Sequence, residues 1–170
     1  MALFRRRERP PEDLLAMLEP SERAVSWADA VGETVVLASS LGLWWPFPDG
    51  PRRMPWQLVD KVVWRDGIIS VTEADVVDDL LLVDRPAVSA RLATPRDLPP
   101  VVRRRVENNI VRRELLQVTG GAARIVARRQ PGRDGAVWWA RLEPGTPDTA
   151  PLRAAIRARI DLLRAESELD

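Results

Sequence analysis

Apolar and polar residues alternate in short runs over the first half of the chain, and these runs are rich in Val, Ile, Leu and Trp. Residues that favour tight turns, such as Asp49-Gly50 and Asp66-Gly67, separate them. Alternation at a period of two, interrupted by turns, is typical of antiparallel strands. The pattern predicts seven strands, at residues 23–30, 33–39, 42–47, 60–65, 68–74, 77–83 and 87–93. Because Pro55 cannot donate to a strand ladder, residues 55–60 are predicted to form a turn or a single helical turn.

The second half of the chain begins with a change to helical spacing. Leu98, Val102, Val106 and Ile110 recur every four residues, which places them on one face of a helix over residues 98–110. Such an apolar stripe can close the end of a β-barrel. Strands at residues 111–118, 122–129 and 136–142, with glycine-containing turns between them, and a final helix at 151–168 are predicted to follow.

These elements predict an α+β protein in three parts. Residues 1–22 would form a basic N-terminal arm and a short helix at 12–18. Residues 23–110 would form a seven-stranded antiparallel β-barrel or sandwich capped by a helix. Residues 111–170 would form a three-stranded β-meander followed by the C-terminal helix.

The composition excludes several kinds of chemistry. The 170 residues include no His and no Cys, and Lys61 is the only Lys. Ser-His-Asp and Cys-His catalysis, Cys- or His-based zinc sites and disulfides are therefore impossible, and no GxxxxGK phosphate-binding loop occurs. We expect no catalytic residue, no metal and no cofactor. No apolar run reaches the ~18 residues of a membrane span, and the N-terminus is charged where a signal peptide would be apolar, so we expect a cytoplasmic protein.

Charge is distributed unevenly along the chain. Residues 10–94 contain seven basic and fourteen acidic side chains, a net charge of −7, whereas residues 95–141 contain eleven basic and four acidic ones, a net charge of +7. The favoured interpretation is that the two segments face each other or simply carry solvated charges. The other is that the basic segment binds an anionic membrane, nucleic acid or an acidic protein. Its candidate contacts are Arg103, Arg104, Arg124 and Arg128.

The seven Trp residues are candidates for both the core and an interface. Trp27, Trp56, Trp64 and Trp139 have the strand context of core residues. Neighbours in a strand point to opposite faces, so one residue of Trp44-Trp45 and one of Trp138-Trp139 must leave the principal core. An outward Trp would lie under a helix or at an interface. Trp44, Trp45 and Trp138 are therefore the candidates for a protein-binding patch.

Two other charged segments have alternative interpretations. Glu73, Asp75, Asp78, Asp79 and Asp84 could hold a hard cation, but the run lacks the glycine and the alternate carboxylates of a calcium loop, so a polar hairpin is favoured. The arm at residues 3–7 combines two apolar residues with three Arg and could touch an anionic membrane. A disordered tail is the favoured interpretation of that arm.

The order of the elements and several local sequences resemble the bacterial pleckstrin-homology-like domains over about the first two-thirds of the chain. The resemblance lies in the segments 35–37, 41–44, 55–62 and 66–68 and in the helix at 101–110. It implies a seven-stranded barrel closed by a helix, a fold that serves lipid, peptide and protein binding. The chain also resembles small proteins of GC-rich bacteria that have an Arg-rich arm and a β-rich tail, a likeness that implies no biochemical role.

We therefore expect a non-catalytic binding or adaptor module whose partner is another protein. It would bind through the open edge of its sheet, by strand addition, or through the outward Trp patch. The alternative is a peripheral protein that binds anionic membranes or nucleic acid through residues 103–129. An enzyme that uses carboxylates alone is the third possibility.

Overall fold

The structure, a computed structural model, describes residues 9–167. The helices are α1 (Glu12–Ala16), α2 (Leu98–Asn109) and α3 (Ala150–Ser167), and a single 3₁₀ turn covers Trp56–Leu58. The strands are β1 (Ala24–Ala30), β2 (Thr34–Ser39), β3 (Gly42–Phe47), β4 (Gly50–Pro55), β5 (Val59–Arg65), β6 (Ile68–Val76), β7 (Leu82–Asp84), β8 (Val88–Thr94), β9 (Ile110–Val118), β10 (Gly121–Arg129) and β11 (Ala136–Leu142). The predicted α+β class is confirmed. The arm at residues 1–8 lies outside the described residues.

The first unit is a curled antiparallel sheet that forms half of a barrel. Its strands lie in the order β4-β3-β2-β1-β8-β6-β5, and the short β7 pairs with the far end of β6. Strands β4 and β5 are the two ends of this order and do not pair with each other. The sheet is therefore open along both of these strands.

Helix α2 closes the concave side of this sheet. The periodic residues Leu98, Val102 and Val106 are buried and share one core with residues of the first sheet, including Leu43, Trp45, Met54, Trp56 and Ile69. The predicted role of the apolar stripe is confirmed.

The second unit is a three-stranded sheet in the order β11-β10-β9, covered on both faces. Ile125 and Ala127 lie under α3, in a core shared with Ile156 and Leu163. Val126, on the opposite face of β10, packs against Ala74 and Leu82 of the first unit. The face of β10 that also carries Arg124 and Arg128 is therefore partly an internal junction between the two units.

Two predictions of local structure were wrong. Strand β4 was not predicted, because Pro51 and Pro55 lower its apparent strand propensity. The strand predicted at 77–83 is a loop as far as Leu81, because the Asp78 carboxylate accepts backbone N–H bonds from Leu80 at 2.8 Å and Leu81 at 2.9 Å. A carboxylate that satisfies backbone groups in this way competes with strand pairing.

The helices were also compared with the dimensions of a lipid bilayer. None of those within residues 9–167 is both long enough and apolar enough to cross a membrane.

Candidate functional site

The residues of each Trp pair lie on opposite faces of their strand, as alternation requires. Trp45 is buried in the core under α2, whereas Trp44 is half-buried on the other face and donates from Nε1 to Glu22 at 2.9 Å. Trp138 is buried under α3, and Trp139 is buried between the two sheets. Of the three predicted patch residues, Trp45 and Trp138 are thus internal, and Trp44 alone reaches the surface.

The predicted arginines do not form a continuous strip. Arg103 pairs with Glu107 one turn further along α2 at 2.8 Å, and Arg124 pairs with Glu143 at 3.0 Å. Arg128 is only 1% exposed, which places it out of reach of a membrane or nucleic acid. Arg104 is exposed and, among the residues that the structure describes, forms no ion pair.

Arg128 joins the two units from inside. Its Nη1 donates to the Val59 carbonyl at 2.8 Å, and its Nη2 donates to Asp60 Oδ1 at 2.8 Å. Burial lowers the pKa of Arg128 to about 10, and the attraction of Asp60 opposes that effect. The guanidinium is still charged at neutral pH, so this ion pair fixes β10 against β5.

Further ion pairs continue along the junction between the units. Arg141 pairs with Asp84 at 3.0 Å, Arg157 pairs with Asp79 at 3.0 Å, and Arg153 pairs with Asp78. In each pair the carboxylate comes from the acidic segment, and the guanidinium comes from the second unit. The acidic segment and the later basic residues thus face each other, which was the favoured interpretation of the charge pattern.

The acidic run is consequently spread over separate arginine partners. Within residues 9–167 no group of three or more acidic side chains is arranged to hold a metal ion.

The contact between Ser39 and Glu22 resembles a nucleophile beside a base, but its environment favours a structural role. Ser39 Oγ donates to Glu22, and both side chains are buried. Burial raises the pKa of Glu22, but hydrogen bonds from Ser39 and Trp44 and the charge of Arg53 outweigh it, so the pKa lies below its ordinary value. A carboxylate held ionised by three partners is a poor proton acceptor. We assign no catalytic role to this pair.

Strand β5 presents an open edge, and the hairpin that follows it fixes the direction of its backbone groups. The two-residue turn has left-handed residues at Asp66 (φ 52°) and Gly67 (φ 76°), as a type I′ turn requires. The Gly67 carbonyl accepts a bond from Leu92 N on β8 at 2.9 Å. Because backbone groups alternate in direction along a strand, those of Ile68 point toward β5, where Ile68 pairs with Arg65.

The same alternation continues backward along β5. Val63 bonds to β6, whereas the N–H and C=O groups of Val62 and Trp64 point away from the sheet. Apart from β6, no strand within residues 9–167 pairs with β5. The backbone of Val62 and Trp64 is therefore available to an additional strand.

The other open edge, β4, lacks this property. Pro51 lies opposite Pro46, and because neither has an N–H, this cannot be a hydrogen-bonded pair. The backbone of Pro51 therefore faces outward, and alternation gives Arg53 and Pro55 the same direction. Two of these three outward positions lack a donor, which is how native proteins protect an edge strand from pairing.

A groove of about 630 Å³ lies between β5 and α2, and we call it the β5 groove. Residues 60–64 line one side; Pro99, Pro100, Arg103, Val106, Glu107 and Arg113 complete it. Trp64 is 41% exposed here, so its predicted place in the core was wrong. The physical reason is that β5 has a neighbouring strand on one side only and that Trp64 lies one residue before its end.

Sequence reasoning identified Arg103 among the groove residues and missed Trp64. A signal was present, because the β5 sequence ends Val62-Val63-Trp64-Arg65 with apolar residues on both faces, which is unusual for a strand with one solvated face.

Comparisons with family models, with curated proteins and with solved structures find no match for this chain. The resemblance to pleckstrin-homology-like domains stays a prediction.

Proposed function

We propose that this protein is a non-catalytic binding module that holds an extended segment of a partner protein as an added strand on β5. The observation that carries the proposal is the outward backbone of Val62 and Trp64 beside an apolar groove. Strand addition gains affinity from main-chain hydrogen bonds and specificity from pockets that take alternate side chains. Kinship with pleckstrin-homology-like domains belongs to the same proposal, and the half-barrel closed by a helix supports it.

The lining of the β5 groove indicates the chemistry of the bound segment. Val63 and Trp64 are both 41% exposed and, with Pro99 and Pro100, offer apolar contacts. A segment with β-branched or aromatic residues at alternate positions would bury this surface.

Charge in the groove adds a second preference. The charges of Asp60, Arg103 and Glu107 are already paired within the chain. Lys61 and Arg113 are exposed and form no ion pair among the described residues. We therefore propose that the bound segment also carries Asp or Glu, which would pair with these two cations.

Selection from a phage-displayed library of random peptides tests the proposal. We expect the selected peptides to share alternating apolar positions with at least one acidic residue and to lack Pro at the positions that pair with β5. Hydrogen–deuterium exchange then distinguishes strand addition from side-chain docking. In the free protein the amides of Val62 and Trp64 should exchange rapidly, and a bound peptide should protect them.

A pair of variants separates the groove from general surface hydrophobicity. Trp64→Thr keeps strand propensity and removes the aromatic contact, and we expect it to weaken the selected peptides by about 30-fold, as for a Trp at an interface centre. Val83→Thr removes an exposed apolar side chain on β7 and should leave binding unchanged. Protection that appears elsewhere while the Val62 and Trp64 amides still exchange freely would contradict strand addition, as would protection of both amides in the free protein.

A further inference from the structure

A second cavity, of about 490 Å³, lies on the side of α2 away from the β5 groove. Its walls come from both units: Val25 and Ser40 from the first, the C-terminal half of α2, and Arg129 and Pro131 from the end of β10. Three arginines line it, namely Arg104, Arg105 and Arg129, and we call it the arginine pocket.

These three arginines differ from the others of the basic segment. Arg103, Arg112, Arg124, Arg128 and Arg141 each pair with a carboxylate. Within the part of the chain that the structure describes, Arg104, Arg105 and Arg129 form no ion pair, and no carboxylate lines the arginine pocket. The charge left over after the junction is satisfied is thus gathered around one cavity. Planar guanidinium groups match the oxygens of a phosphate and can bind it with two parallel hydrogen bonds.

A buried amide gives independent evidence that a ligand belongs there. Asn109 lines the pocket and is only 6% exposed, and its Nδ2 donates to the Arg129 carbonyl. Its Oδ1 is buried and accepts no hydrogen bond from any described residue. A buried acceptor without a donor is costly, so this oxygen selects a ligand that carries an O–H or N–H group.

The two observations together specify more than a bare anion. Phosphate dianion offers acceptors to the arginines but no donor to Asn109, whereas a phosphate ester of a polyol offers both. The volume lies within the range of about 300–1,000 Å³ that is usual for small-molecule sites. Val25, Val101 and Pro131 supply apolar contact for the carbon skeleton of such a ligand.

We propose that the arginine pocket binds a small phosphomonoester whose organic part carries hydroxyl groups. The phosphate binds to Arg104, Arg105 and Arg129, and a ligand hydroxyl donates to Asn109 Oδ1. This site is separate from the β5 groove and does not depend on peptide binding there.

Isothermal titration of the full chain with glycerol 3-phosphate and with inorganic phosphate tests the proposal. We expect saturable binding of both, with the ester bound more tightly. Arg104→Gln and Arg129→Gln should each weaken the ester by about tenfold or more, because each removes a charge-assisted hydrogen bond. The matched control is Arg133→Gln, which removes an exposed cation outside the pocket and should leave the affinity unchanged.

Asn109→Ala tests the hydroxyl contact through the ratio of the two affinities, which should fall toward one while inorganic phosphate still binds. If this variant does not fold, the exposed Arg104→Gln variant still tests the site. Equal affinity of wild type for the ester and for inorganic phosphate would overturn the hydroxyl contact, and equal loss in Arg133→Gln would show a diffuse charge effect. Binding to phosphatidylcholine vesicles that contain phosphatidic acid, or to random DNA, without binding of glycerol 3-phosphate would overturn the small-molecule assignment.

Discussion

Removing the carboxylate of Asp60 by Asp60→Asn should destabilise the protein by leaving Arg128 charged and buried without its counter-ion. A pKa of about 10 in place of 12.5 means that the protein already disfavours the charged form of Arg128 by roughly 3 kcal/mol, at 1.36 kcal/mol per pH unit. The attraction of Asp60 offsets part of the cost of burial, so its loss adds to that figure. Arg128 stays charged at pH 7 in the variant because its pKa would have to fall by about three further units to prevent it.

The magnitude follows from the geometry of the pair. Unit charges about 4 Å apart interact by about 4 kcal/mol at an effective dielectric constant of 20. Asp60 keeps 27% of its side chain exposed, and the Asn side chain can still accept a hydrogen bond, so we expect a loss of about 2–3 kcal/mol, below the 3–5 kcal/mol of a fully buried pair.

Urea unfolding of wild type, Asp60→Asn and Asp84→Asn at pH 7 measures this difference. Asp84 pairs with Arg141 at the same junction, but its side chain is 42% exposed, so its replacement should cost no more than about 1 kcal/mol. The double variant Asp60→Asn/Arg128→Met should be less destabilised than the sum of its two single variants, because the charge and its counter-ion leave together. Values for Asp60→Asn and Asp84→Asn that agree within about 0.5 kcal/mol would refute the reasoning.

Two further predictions concern acid stability and backbone packing. Hydrogen bonds from Arg153 and from two backbone amides lower the pKa of Asp78 from 3.8 to about 2, so the stability that this group contributes is complete above about pH 4 and is lost as pH falls toward 2. Urea unfolding between these pH values should show a smaller acid loss for Asp78→Asn than for wild type, and parallel curves would contradict the assignment. Gly42→Ala should cost about 2 kcal/mol or more in the same assay, because its Cβ would overlap the Met54 carbonyl oxygen. Gly132→Ala, at φ 79° in open space, should cost only about 1 kcal/mol, and equal losses would show that the overlap is relieved.

Much of the fold could be predicted because its signals are local. Helix α2 was expected at residues 98–110 and is found at Leu98–Asn109, since a four-residue apolar repeat is visible within a single segment. The meander of the second unit was predicted for the same reason, as the glycine turns at Gly120-Gly121 and Gly135 mark where its strands reverse. The failures were also local in origin. At β4 and at residues 77–81, prolines and an aspartate gave signals that their pairing partners, distant in sequence, overrode or reinforced.

The candidate sites were much less predictable than the fold. Alternation correctly placed one member of each Trp pair outside the first core, but it could not say which layer would cover Trp138. Exposure of Trp64 depends on β5 being the last strand of the sheet, and strand order is not encoded in any one segment. Likewise, Arg104 and Arg128 are chemically identical in the sequence, yet one lines an open pocket and the other is buried against Asp60.

The sequence by itself determined the element types, the absence of His and Cys chemistry and the opposite charges of its two main segments, because composition and periodicity are properties of the chain alone. Only the tertiary structure decided which charges neutralise each other and which remain unpaired. Pairing requires side chains tens of residues apart to come within about 3 Å, and the stacking of the second sheet on the first brings this about. The same stacking leaves β5 without a neighbour and gathers three unpaired arginines around one cavity.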